Sequence, residues 1–543
     1  RDEQEEAWIA VEQVMERHRE DVGVVQQACA FLGHLSARGG VRTAPAAQRV
    51  AAKVLQAMRD HPEDPGVQEN GCWALGSLGG TPPLSFAPLA SQLGPRAVAR
   101  AMETTCSSHP GVQAMGCGAI WSLAEVPNSR IASEGGVRLA ARAMREHPGH
   151  FNVQLQGSGA FRALSKDVRN KDSIRTIGAV DLILKALRRH PESEALAEQG
   201  IPALWLLSHG AQGEDLRPWS DEHAIAERTV VLAMRRHGDN ATIQEAACGL
   251  LGTLSLMEHS PEKLRSLCGG AAVLGAMFRH MFDRGVQAEA LGALASFALA
   301  PRLAQTLTPG GADAVVRSLE RLKQDPGVVA NGCRAIAGIA GRRGTSLIWR
   351  DPDEDGRQDL SRSGEVEPGK VAIQAVIDGM QEQRGEARAQ ENGCIALRRL
   401  LSSEPTNKGA FKVAGCGAIP CILRAMQAHL SAAGVQEQGC AALWDLIAGH
   451  APNKQRILER GGAALVVRAI ERHPQHIGVR DNSAGALRFL EVAYKAPVFS
   501  LAGARMALIG ATRPLGPVVH QDLGALLEER GRGVKGYAGG ESS

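Results

Sequence analysis

The segment Val67-Gln68-Glu69-Asn70-Gly71-Cys72-Trp73-Ala74-Leu75-Gly76-Ser77-Leu78 recurs along almost the whole chain. Close copies start at Val112, Val328, Ala389 and Val435, and weaker ones at Val24, Val153, Leu196, Ile243, Val286 and Val479. Successive copies begin 41 to 47 residues apart, except for one step of 61 between Val328 and Ala389. A fixed period in this range marks stacked supersecondary units, because a single unit cannot bury its apolar face alone. At 543 residues an ordinary chain divides into several domains. A stack of repeats escapes that limit, since each unit touches only its neighbours and the core grows in one dimension. One elongated domain is therefore expected.

An α-helix advances about 100° per residue, and on that wheel positions 1, 5, 8, 9 and 12 of the phrase form one stripe. In the second copy these are Val67, Gly71, Ala74, Leu75 and Leu78. They are the expected core, and the small residues among them let neighbouring backbones come close. Position 6 is Cys in seven copies (Cys29, Cys72, Cys117, Cys248, Cys333, Cys394 and Cys440) and lies beside the next repeat. Thiols a whole repeat apart are placed by packing, not by pairing. Small buried thiols read as a reducing compartment, so a cytoplasmic protein is expected.

Between copies a second pattern recurs. Asn170-Lys171 leads through Gly178-Ala179-Val180 to His190-Pro191, and Asn453-Lys454 leads through Gly461-Gly462-Ala463 to His473-Pro474. The pattern reads as a short helix, a glycine break, a longer helix and a stop. Glycine permits the sharp turn, Pro cannot continue the helix, and a cation suits its C-terminus. With the repeated phrase this makes three helices per repeat. Arg1–Glu20 reads as one more helix, with Trp8, Val11, Val14 and Met15 as its apolar stripe.

Taken together, Asn-Lys, a Gly-Gly turn, an apolar helix and Val-Gln-Glu-x-Gly-Cys-x-Ala-Leu-x-x-Leu resemble the armadillo repeat. The form is similar to that of vacuolar-protein-8-like proteins and of the arms of leucine-rich-repeat kinases, and the resemblance runs from Val24 to Leu490. It implies an all-α fold, a right-handed armadillo/HEAT-like α-solenoid superhelix of about eleven three-helix repeats. The expected organisation is an N-terminal capping helix over 1–23 and the solenoid over 24–497. A loop is inserted at 341–369, and a C-terminal cap with a Gly-rich tail covers 498–543. In the family the third helix lines a concave groove that takes an extended peptide or a helix. A protein partner in that groove, and the role of a non-catalytic scaffold, are what the resemblance implies. Nuclear-import adaptors of this fold repeat Trp at position 7 and Asn at position 11. Here position 7 is Trp only at Trp73, and position 11 is never Asn, so the import clamp is absent.

Positions 3, 7 and 10 point away from the core stripe and supply the expected groove residues. Position 3 is acidic at Glu69, Glu198, Glu245, Glu391, Glu437 and Asp481. Position 10 carries Trp121, Trp205 and Trp444, with Arg162, Arg398 and Arg488, and Trp73 stands at position 7. Trp and Arg supply much of the energy of protein interfaces. The candidate partner-binding set is therefore Trp73, Trp121, Trp205, Trp444, Arg162, Arg398, Arg488, Glu198, Glu391 and Glu437. The other reading of the same residues is that acids near a helix start favour its dipole while Trp packs against the adjacent repeat. Position 4 is Asn or Gln in eight copies, which reads as hydrogen bonding between repeats, with a grip on a peptide backbone as the alternative.

Chemistry is sparse. Asp351-Pro352-Asp353-Glu354-Asp355-Gly356 matches half a calcium loop, but Arg362 stands where a bidentate Glu is needed, so a solvated acidic loop is expected. Cys416 and Cys421 lack a second ligand pair for zinc, and no His-Glu dipeptide suggests a di-iron site. The glycines at 531, 533 and 536 follow no strand, and Gly369-Lys370 is followed by Val371, so no phosphate loop is present. No nucleophile motif stands out. No cofactor, no metal and no catalytic residue are expected, and the protein is not expected to be an enzyme. Lys plus Arg number 61 against 58 for Asp plus Glu, which gives no broad field for nucleic acid. No apolar run approaches a membrane span. The chain opens on Arg1, which suggests a piece of a longer protein, such as the regulatory arm of a kinase. A structural subunit of a large assembly is the other alternative.

Overall fold

The computed structural model describes residues 2–38, 44–79, 94–103, 108–126, 129–208, 223–256, 269–299, 309–340, 368–403, 413–448 and 450–490. The chain divides into two compact units, Arg1–Pro405 and Thr406–Ser543. All regular structure among the described residues is helical.

In the first unit each of the nine repeated phrases is a helix: Val22–Ala37, Pro65–Gly79, Pro110–Ala124, Phe151–Leu164, Glu194–Ser208, Ala241–Leu254, Arg284–Leu299, Pro326–Ala340 and Ala387–Ser403. Each of these third helices packs against the next, in chain order. A second helix precedes each one, from Asp2–Arg17 and Ala44–Asp60 through to Pro368–Glu382. These second helices also pack on one another in order, and each lies on the third helix of its own repeat. The unit is thus a two-layered α-solenoid. The segment expected as an N-terminal cap holds Asp2–Arg17, which occupies the second-helix position of the first repeat. In the second unit Ala418–Ala428 lies on Ala433–Ile447, and Ala451–Glu459, Gly462–Arg472 and Ile477–Leu490 follow as a complete repeat.

The short first helix is present at Val168–Thr176 and at Ala451–Glu459. Most of its other positions, the inserted segment up to residue 367, the acidic run at 351–359 and everything from 491 onward lie outside the described residues. Pro368 and Gly369, assigned to the inserted loop from sequence, open a helix instead. The glycine breaks are as expected. Gly135, Gly178, Gly417 and Gly461 cap second helices with φ between 73 and 93°, a region that a side chain disfavours.

Inside most repeats, one or both of two devices fix the third helix to the second. Gly at position 5 receives the Met of the second helix: a Cβ on Gly71 would sit 2.6 Å from Met58 Cγ, and one on Gly116 2.6 Å from Met102 Cγ. Position 2, outside the stripe drawn from sequence, is a buried Gln in seven copies. Gln154 Nε2 donates to the carbonyls of Met144 and His147, both at 2.9 Å, and Gln244, Gln287 and Gln436 do the same in their repeats. The last carbonyls of the second helix have no partner within that helix, and this amide satisfies them. The C-capping histidines are a joint rather than a simple positive charge. His61, His280 and His473 each bring Nε2 to within 2.7 to 2.8 Å of a carbonyl in the preceding repeat.

Because Gln154 is 3% exposed, Gln154→Ala would leave the Met144 carbonyl unsatisfied, while that of His147 keeps the bond from the His150 N–H. A loss of about 1–3 kcal/mol is expected, to be read as a lower urea midpoint with helix content unchanged in native buffer.

Candidate partner-binding face

At positions 3, 7 and 10 the charged residues and tryptophans are half-buried or exposed, whereas Ala114, Ala330, Ala441, Ala295 and Ala337 are buried, and the structure sets most of these side chains at the seams between adjacent third helices. Trp73, Trp121, Trp205 and Trp444 are all half-buried. Each ring lies over a glycine of the neighbouring helix. A Cβ on Gly33 would meet Trp73 at 2.6 Å, and one on Gly485 would meet Trp444 at 2.7 Å. Gly159 and Gly249 face the Trp121 and Trp205 rings just as tightly. Trp73 also stands edge-on to His34, with ring centroids 4.3 Å apart at 82°. The tryptophans therefore pack between repeats, and each ring is only half-buried.

The position-3 acids reach across the same seams. Glu69 lies against Gly111 and 3.8 Å from His109 Nδ1, at the start of the next third helix. Glu437 repeats this with Gly478 and with His476 Nδ1 at 3.8 Å. Glu198 Oε1 accepts from Asn240 Nδ2 at 2.5 Å, and Asn240 is the N-cap of Ala241–Leu254. A carboxylate favours the positive end of a helix dipole, and here that helix belongs to the following repeat. Position 4 supplies the expected bonds between repeats. Asn331 donates to the Ala288 carbonyl and Asn392 to that of Ala330, each at 2.8 Å, and Asn70 and Asn482 do so at 3.3 Å. Arg162 donates to Gln199 Oε1 at 3.0 Å. Glu391 and Arg398 are half-buried, and Arg488 is exposed.

A row of charge was not assembled from sequence. Glu245, Glu289 and Arg334 sit on three consecutive third helices, with Arg388 at the start of a fourth. Burial first, then the Glu245 charge, pushes the Glu289 carboxyl above the usual Glu range, against the pull of Arg334 and Arg388. Burial and Asp283 raise Glu245 in the same direction. Burial, then repulsion from Arg388, lowers the Arg334 guanidinium. Glu289 stands at position 4, where the pattern of amides hid it.

The buried cysteines offer no nucleophile. Burial pushes the Cys29, Cys117 and Cys440 thiols up to about 12, and a thiol that stays protonated is inert. Among the described residues, no group of three or more His, Cys, Asp or Glu side chains could hold a metal ion. No described helix is long and apolar enough to cross a membrane.

No protein-family model matches the chain, and no curated protein matches it. Among solved structures, one similar chain comes from work on a conserved phosphorylation switch that controls the interaction between cadherin and beta-catenin in vitro and in vivo. The likeness has a TM-score of 0.63 at 18% identity and covers 90% of this chain and 97% of that one. The chain has the armadillo-type fold. At that identity the likeness extends to the solenoid and leaves the seam residues to be read on their own chemistry.

Gly159→Ala drives a methyl group into the Trp121 ring and is expected to cost about 1–3 kcal/mol with a shifted tryptophan emission. Adding Trp121→Leu to that variant is expected to recover most of the loss in a double-mutant cycle, since only the ring fills the space. Glu289 has a folded pKa above its unfolded one, so its ionisation opposes folding, and the penalty disappears as pH falls through the folded value. Urea midpoints should therefore show Glu289→Gln more stable than the parent near neutral pH, with the advantage shrinking on acidification.

Proposed function

We propose that the chain is a non-catalytic protein-binding scaffold, which takes an extended peptide or a helix of a protein partner along the layer of third helices. The observation that carries this reading is the recurrence, at four seams, of half-buried tryptophan rings bordered by charged side chains. Such amphipathic surfaces, held rigid by packing beneath, are the usual anchors of interfaces. The fold is consistent with the reading, since the similar solved chain comes from work on a protein–protein interaction. In the first unit the proposed contacts are Trp73, Trp121, Trp205, Arg162, Arg398, Glu198 and Glu391. In the second they are Trp444, Arg488 and Glu437. We read the repeat as the kind found in vacuolar-protein-8-like proteins and in the arms of leucine-rich-repeat kinases, and the compartment as a reducing one such as the cytoplasm, where thiols of this sort persist.

The test begins with affinity purification and crosslink mapping of what is captured. Alanine at Trp121, Trp205 and Trp444 together is expected to weaken the captured partner by about ten-fold or more. Phenylalanine at the same three sites controls for lost packing and should keep the fold intact with an intermediate affinity. Affinity unchanged in both variants, or crosslinks confined to the second-helix layer, would overturn the reading.

A further inference from the structure

The third-helix layer of the first unit is not evenly charged. Its middle carries Glu198 on Glu194–Ser208, Glu245 on Ala241–Leu254 and Glu289 on Arg284–Leu299. Its far part carries Arg334 on Pro326–Ala340, then Arg388, Arg398 and Arg399 on Ala387–Ser403. From Glu194–Ser208 onward the prevailing sign changes between Glu289 and Arg334, with Arg284, exposed at the start of its helix, and Glu391 as the exceptions. On either side of that boundary like charge faces like charge: Asp283 and Glu289 both act on Glu245 or are acted on by it, and Arg388 acts on Arg334. Among the described residues neither Glu245 nor Glu289 has a basic group within salt-bridge distance, and Arg388 has no acidic one. Arg334 reaches only a carbonyl, that of Gly292, at 3.4 Å, and its Nε and Asn331 Oδ1 are buried without a hydrogen-bond partner.

Half-buried like charges in a row lower stability unless something of opposite sign completes them, and sites arranged in this way are enriched in function. Charge complementarity of this kind selects a partner and sets its register more than it sets raw affinity. Adjacent packed helices lie about 8–10 Å apart, and an extended chain advances about 3.3 Å per residue. One step between third helices therefore spans about three residues of an extended peptide.

Resting on the scaffold reading above, we propose that the third-helix face from Glu194–Ser208 to Ala387–Ser403 docks an extended segment of a second protein with segregated charges. Its Lys or Arg side chains lie over Glu245 and Glu289, its Asp or Glu side chains lie over Arg334 and Arg388, and successive charges stand about three residues apart. The face thus reads both the order and the spacing of charge. A partner that is basic or acidic throughout matches only one half and is repelled by the other.

The probes are fluorescein-labelled peptides on a Gly-Ser backbone, measured by anisotropy with the full chain. Two have segregated order, Lys-x-x-Lys-x-x-Glu-x-x-Glu and its reverse, and one of the same composition alternates Lys and Glu. One of the two segregated peptides is expected to bind about ten-fold tighter than the alternating one, with affinity falling as salt rises. The double variant Glu245→Gln with Glu289→Gln, which relieves repulsion and so keeps the fold, is expected to lose about ten-fold of that binding. Arg388→Gln, on an exposed side chain, should lose a smaller share. Equal binding of segregated and alternating peptides, no segregated binding up to about 1 mM, or indifference to the double variant would overturn the proposal. If captured partners still crosslink to the third helices in any of those cases, the scaffold reading stands while the charge order falls. A gain of about ten-fold on deleting residues 345–364 would instead assign the face to that segment of the chain itself.

Discussion

Neighbouring third helices lie close because one residue of a facing pair gives up its side chain. Where position 10 of one helix is Trp121, Trp205 or Trp444, position 7 of the next is Gly159, Gly249 or Gly485, and at the first seam the roles reverse with Gly33 and Trp73. At two other seams the helices meet almost bare. A Cβ on Gly76 would come within 3.1 Å of the Ala119 backbone, and one on Gly252 within 2.9 Å of Ala293. Interiors packed to crystal density transmit such changes to their neighbours. The ring or its absence at each seam therefore decides both the fit of the stack and the relief of the face that a partner would meet. Under the proposed function, stability and recognition would draw on the same residues.

The sequence announced the repeat, the helices and the glycine breaks, because these rest on local rules: a stripe at helical spacing, a left-handed turn, a Pro that stops a helix. Cys at position 6 went inside as read, and Ser483 Oγ of the following repeat donates to Cys440 Sγ at 3.2 Å. What a single helical wheel could not show is contact between wheels. Gln at position 2 falls off the apolar stripe, yet its amide is aimed at the end of another helix. Position 3 acids, read as groove residues or as company for their own helix dipole, reach the start of the next helix at Glu69, Glu198 and Glu437. The signals were present in register: the Gln recurs ten residues after a Met in several copies, and Gly at position 7 follows Trp at position 10 one repeat earlier. Only the stacking order, a long-range fact, says that those positions meet.

The charged row through Glu245, Glu289, Arg334 and Arg388 illustrates the same limit from the side of electrostatics. Three of its four members are unremarkable as letters, and Glu289 interrupts a run of amides. Their meaning comes from sharing a desolvated surface, where burial and like charge shift protonation in ways that no spacing along the chain reveals. The thiols make the opposite case. Their burial was legible from the phrase alone, and the structure adds that it leaves them protonated and chemically silent.

The longest interval between repeats falls between Pro326–Ala340 and Ala387–Ser403, yet the stacking there is unbroken. Asn392 still donates to the Ala330 carbonyl at 2.8 Å, and Gln383 to that of Lys323 at 3.0 Å, across 62 and 60 residues of chain. The seam closes through side chains of its own and asks nothing of the connecting segment beyond its two ends. Lengthening such a connection costs little, about 0.6 kcal/mol for each doubling. That single junction is thus a natural graft point, where evolution or an engineer can splice in foreign sequence while the lattice of helices on either side keeps its register.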